Sequence, residues 1–220
     1  MDNEHKEIIA ESIEIAGKTA LSLIPVGGTL ITCVWDSVKA HTAQKRLNDW
    51  KDLVESRLSR LEYTLDDLGS NELFSTAIMR TTDIALKTAE RKKREYLANS
   101  VYHSAYIPID EGMLMIYLDY LDRYSVWHLQ ILHFFQDPKT NGNFQNSNLI
   151  MGSAIEALRP VFPELCQNVD LVVKIVNDLQ MDGLMSRGNY MNATMTSNGM
   201  FTSRTTELGN NFLNFILLDE

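Results

Sequence analysis

Three sets of side chains in this sequence have types and spacings that invite chemistry, and each can be tested on helical geometry. His128 and His133 flank an apolar segment, but five residues on an α-helix turn through about 140°, so the two rings cannot share one metal ion. His5, His41 and His103 are scattered, and no His-Glu-x-x-His or Cys-x-x-Cys spacing completes a ligand set. Glu62, Asp66, Asp67, Asp119 and Asp122 offer carboxylates at helical spacing, which act as acid and base only where a cleft sets their pKa values apart. No nucleophile elbow, phosphate-binding glycine loop or dinucleotide fingerprint is present. The expectation is a protein that is not an enzyme and uses neither metal nor cofactor. Arg91, Lys92, Lys93 and Arg94 form the one dense cationic cluster and are candidates for polar contact with phosphate or an acidic partner. Four consecutive helical residues point almost all the way round, which favours a solvated helix surface; the alternative is that Arg94 pairs with carboxylates of the acidic second half, making the cluster an intramolecular or oligomer contact.

Two further stretches stand out by composition. Met185, Tyr190, Met191, Met195, Met200 and Phe201 concentrate soft and aromatic side chains in a polar run. They are the candidate protein-binding surface, set against packing of the same residues onto the body. The interval from Thr19 to Trp35 carries no charge and is 17 residues long, about 25 Å as helix and near the lower limit for crossing a bilayer. Pro25, Gly27 and Gly28 interrupt it, making a candidate membrane hairpin. Ser22, Thr29, Thr32 and Cys33 favour burial in protein instead, because lipid cannot satisfy their polar groups.

The elements that would position these residues are mostly helices. Apolar residues recur at helical spacing from Glu7 to Ile24, then from near Thr29 to about Leu68 through Leu47, Trp50, Val54, Leu58, Leu61 and Leu65. Gly69, Ser70 and Asn71 read as a stop and a new cap, followed by one long helix from Glu72 to about Ala105. A further helical stretch from Glu111 to Phe135 has a break at Tyr124-Ser125, where Ser125 suits a cap. Asp137 to Ser147 is loop chemistry, and helices near Leu149 to Val161 and Val169 to Met181 follow on either side of Pro163. The run from Asp182 to Thr206 suits a short hairpin, and Thr205 or Thr206 caps a closing helix containing Phe212, Leu213, Phe215, Ile216 and Leu217. The predicted fold is predominantly all-α: an antiparallel helical bundle over 1–108, then a winged-helix-like domain with one small β-hairpin over 109–220.

Charge decides against the ligand that such an ending usually takes. The chain has 20 Lys and Arg against 29 Asp and Glu. From Asp110 onward the counts are 6 and 13, whereas a duplex-binding face needs cations to displace counterions from phosphate. The would-be recognition helix offers Lys174 and Asn177 beside Asp170 and Asp178. Nucleic acid is disfavoured, and a protein partner or a second copy is preferred. Cys33 and Cys166 lie far apart in apolar segments and read as reduced core thiols, and the acidic start Met-Asp-Asn-Glu-His-Lys-Glu does not read as a leader. A cytoplasmic bacterial protein is expected.

From Tyr124 onward, Asp178-Leu179, Gly183-Leu184, Thr206-Glu207-Leu208-Gly209 and Phe212-Leu213 resemble a winged helix-turn-helix ending. The combination of a helical front half, Met115 to Leu121 leading into Trp127 to Leu132, and this ending resembles bacterial proteins of the abortive-infection alpha kind. That resemblance implies an association with phage defence and carries over no functional residue. The expected role is a non-catalytic protein-interaction or regulatory protein. A membrane-perturbing effector using 19–35 and a winged-helix DNA-binding regulator are the alternatives.

Overall fold

The computed structural model describes residues 42–61, 68, 70–140 and 150–218. These fold predominantly as helices with one two-stranded antiparallel sheet. They form two compact units: one extends to Arg123 and takes in Phe215 onward, the other runs from Tyr124 to Asn214. The second unit is thus an insertion in the first. This division differs from a boundary at 108/109, because the helix Glu111–Arg123 packs on helices that precede it.

In the first unit α1 is Gln44–Leu58, α2 Glu72–Lys87, α3 Arg91–Ser104 and α4 Glu111–Arg123. Steps of three and four bring Leu47, Trp50, Val54 and Leu58 to the buried face of α1. Trp50 is fully buried, and its Nε1 donates to Thr82 Oγ1 at 3.0 Å. The helix stops at Leu58, ten residues before the stripe predicts. Arg60 and Leu61 donate to the carbonyls of Arg57 and Leu58, tightening the last turn. Asn71 caps α2 by accepting from the Phe74 amide at 3.0 Å. The single long helix expected over 72–105 is two, because Thr88 and Glu90 are extended (ψ 138° and 115°) and Thr88 Oγ1 accepts from the Glu90 amide.

Inward polar side chains of this unit cap helix carboxyl ends, where carbonyls lack intrahelical donors. Arg46 donates to Leu86 O at 2.9 Å, Lys93 Nζ to Asp122 O at 2.9 Å and Arg94 to Thr88 O at 3.0 Å. Asn99 donates to Ile216 O at 2.9 Å and accepts from Arg57 Nε at 2.7 Å. His103 Nδ1 lies 2.7 Å from Phe215 O, which requires the proton on Nδ1.

In the second unit α5 is Val126–Gln136, β1 Met151–Gly152, α6 Ala154–Leu158, α7 Val169–Met181, β2 Met195–Thr196, α8 Ser197–Met200 and α9 Glu207–Ile216, whose last two residues belong to the first unit. Ser125 stands at the amino end of α5 where the sequence places the break, but its side chain caps no amide and meets His128 Nδ1 instead; Ser153 with Glu156 forms a capping box on α6. α7 begins at the Asn168 cap. It ends in a Schellman turn in which Gly183 (φ +76°) donates to Gln180 O and Leu184 to Leu179 O. The sheet pairs Met151 with Thr196 and Gly152 with Met195. The two ends of the polar run close through one bridge, Met185 with Thr205. Thr206 caps α9, accepting from Gly209 N at 3.1 Å while donating to Gly183 O at 2.6 Å. A side chain on Gly209 would place its Cβ 2.1 Å from Leu184 O, so only glycine allows this approach.

Candidate functional site

The inward face of α7 is set by Val172, Ile175, Val176 and Leu179, all buried. That spacing leaves Leu171, Lys174, Asp178 and Met181 along one outer stripe, in steps of three, four and three. Leu171 is 39% exposed and Met181 76%, large fractions for apolar side chains on a helix with so well-defined a core face. Between them Lys174 Nζ donates to Asp178 Oδ2 at 2.6 Å. The stripe is apolar at both ends and carries a neutral ion pair in its centre.

Asp178 is held in place from below. His128 Nε2 lies 3.3 Å from Asp178 Oδ2, and the ring's Nδ1 lies 2.8 Å from Ser125 Oγ. Tyr124 stacks on His128 with centroids 4.9 Å apart and planes 5° apart, and its hydroxyl donates to Asp182 at 2.5 Å. Burial pushes the Asp178 carboxyl up, but the hydrogen bonds from Lys174 and His128 outweigh it and hold it below the usual range. Serine, histidine and aspartate here follow the hydrogen-bond order of an acyl-transfer triad. The carboxylate is already neutralised by Lys174, however, which weakens its support for an imidazolium. The arrangement fixes the position of Asp178 on the α7 face.

The methionine-rich surface expected over 185–201 is corrected by burial. Met185, Tyr190, Met191 and Met200 are core residues, and Met195 and Phe201 are half-buried. The polar run folds onto the unit because its backbone has partners there, Ala154 donating to Tyr190 O and Arg204 to Phe135 O, while Ser186 donates to Arg204 O within the run. The Arg204 guanidinium sits 4.9 Å from the Tyr190 ring centre and donates to Gly199 O, so this cation too is used internally.

The cationic cluster divides between surface and interior. Arg91 and Lys92 face outward and pair with Glu95 at 3.5 and 3.1 Å. Lys93 and Arg94 are buried caps, and burial lowers the Lys93 pKa. Arg94 meets Asp49 of α1 at 3.4 Å rather than an acid of the second half, and its buried Nε has no partner among the described residues. A shallow groove lined by Asp49, Asp52, Ser56, Arg57, Arg91 and Glu95 opens nearby, with most of its charges engaged by these contacts. Asp119 pairs with Arg80 at 2.7 Å.

Among the described residues no cluster of three His, Cys, Asp or Glu is placed to hold a metal ion, and no helix is long and apolar enough to cross a membrane. Pro25, Gly27, Gly28, His5, His41, Cys33, Glu62, Asp66 and Asp67 lie outside the described residues. Cys166 is a buried free thiol whose pKa burial raises.

Leu171 is the site residue that the sequence reading passed over, and Met181 is the one methionine of the soft, methionine-rich stretch that stays well exposed, on α7 rather than in the polar run. Their signal was available: once 172, 175, 176 and 179 point inward, 171 and 181 must point out. No family model, curated protein or solved structure matches the chain.

Proposed function

We propose that this is a protein-interaction or regulatory protein that docks a protein partner on the outer face of α7. The observation that carries this reading is the exposure of Leu171 and Met181 around an internally neutralised Lys174–Asp178 pair. An apolar stripe with a charge pair at its centre suits a protein surface, whereas a phosphate backbone needs uncompensated cations. The likeness of Met115 to Leu121 and Trp127 to Leu132 to abortive-infection proteins supports a bacterial phage-defence setting. Much of both stretches is packed in the core, so the likeness adds no site residue.

One observation favours a second reading. The order α5, β1, α6, α7, β2 follows that of a winged helix, in which α7 would read DNA. Residues 124–214 hold 5 Lys and Arg against 7 Asp and Glu, and Lys174 and Arg204 are committed to partners within the unit. That distribution favours the protein-docking reading.

The test is affinity capture from the cells that encode the chain, with wild type and the Leu171→Asp/Met181→Asp variant. The wild type retains a stoichiometric protein, or a second tagged copy of itself, that the variant loses. Equal retention by both contradicts the proposal. Salt-sensitive binding of genomic DNA fragments, lost on Lys174→Gln, would transfer the face to the second reading.

A further inference from the structure

We infer that the α7 face docks on the same face of a second copy of this chain, antiparallel about a two-fold axis passing near residue 176. This rests on the docking role proposed above and names its partner. The ground is the order of the stripe: Leu171, Lys174, Asp178 and Met181 read apolar, basic, acidic, apolar. Reversal about residue 176 exchanges 171 with 181 and 174 with 178. An antiparallel copy therefore sets Leu171 against the partner's Met181 and Lys174 against the partner's Asp178, twice over, as a closed two-fold interface requires. A parallel copy would set lysine on lysine and aspartate on aspartate, which repel.

The local geometry leaves room for the added ion pairs. Both Lys174 Nζ and His128 Nε2 address Oδ2 of Asp178. Among the described residues nothing donates to Oδ1, so the carboxylate can take a second lysine without releasing its own. Lys174 is 68% exposed, and an ammonium has three protons to share. Met181, the most exposed member, has an unbranched side chain that adapts to a facing leucine. The stripe is short, about 15 Å from Leu171 to Met181 at 1.5 Å per residue. Such a patch falls at the weak end of specific interfaces, with a dissociation constant on the order of micromolar or above.

Sedimentation equilibrium of the full chain over a range of concentrations tests this, with thermal unfolding confirming that each variant folds. The wild-type average mass rises with concentration towards twice the monomer. Lys174→Glu and Asp178→Lys, each alone, weaken association at least tenfold, because each places like charges opposite one another. The double variant Lys174→Glu/Asp178→Lys returns to within about threefold of wild type, since exchanging both signs restores the same complementarity. A wild type that stays monomeric to about millimolar concentration overturns the inference, as does a dimer indifferent to both single inversions. If the wild type is monomeric while Leu171→Asp/Met181→Asp still loses a different captured protein, the self-docking falls and the docking role of α7 stands.

Discussion

The two units use their cations in different ways. In the first, Arg46, Lys93 and Arg94 turn inward and cap helix ends, supported by Asn99 and His103, so charge holds the helices together. In the second, Arg204 closes the polar run, while Lys174 stays on the surface beside its own counter-ion. Buried cations that donate to carbonyls are structural commitments, since removing either side strands a desolvated polar group. An exposed, self-neutralised pair contributes little to folding and remains open to rearrangement by a partner. Buried cations therefore belong to the framework here, while Lys174 and Asp178 keep their charges together on the outer face of α7.

Substitutions separate these roles, and the largest effect is expected where packing leaves no room. Gly209→Ala drives a methyl group against the Leu184 carbonyl and should destabilise the second unit by about 3 kcal/mol, read by denaturant unfolding. Asn99→Ala removes the donor to Ile216 O and the acceptor for Arg57; a loss of about 2 kcal/mol is expected from the two stranded groups. If Asn99→Ala were neutral, the account of inward caps as framework would fail. Leu171→Asp and Met181→Asp should each change stability by less than about 0.5 kcal/mol, since both are surface positions. A larger loss would make them packing residues and remove the contrast between the units.

The smallest effect is on acid stability. The folded Asp178 pKa lies below its unfolded value, so its contribution is fully present above about pH 4 and is lost as pH falls through the folded value. Asp178→Asn should flatten that limb of the melting temperature against pH and leave the neutral region nearly unchanged. An unaltered acid limb would mean that its bonds to Lys174 and His128 do not hold in solution.

Much of this organisation was legible from residue order. The α1 stripe as far as Leu58, the break at Tyr124-Ser125, the bounds of α7 and the Thr206 cap follow from apolar spacing and cap chemistry, which are local. What escaped the sequence was set by contacts distant in the chain. The break at Thr88 to Glu90 carries no proline or glycine, and Arg46 of α1, far back in the chain, holds the Leu86 carbonyl just before it. Met185, Met191 and Met200 looked available for a partner because the run around them is polar, yet bonds to Ala154 and Phe135 draw that run inward. Composition predicts which side chains prefer burial; it cannot say which surface a flexible polar run will close against. The outer stripe of α7 was readable once its inner stripe was drawn, because the helical period fixes both faces together.

The central claim is that α7 presents a self-complementary, charge-balanced face to another protein surface. The most direct measurement is the sedimentation of an equimolar mixture of the Lys174→Glu and Asp178→Lys variants. Each should remain monomeric alone, and the mixture should form heterodimers at least as readily as the wild type, because an all-acidic centre then meets an all-basic one. A mixture whose components sediment independently would contradict the claim.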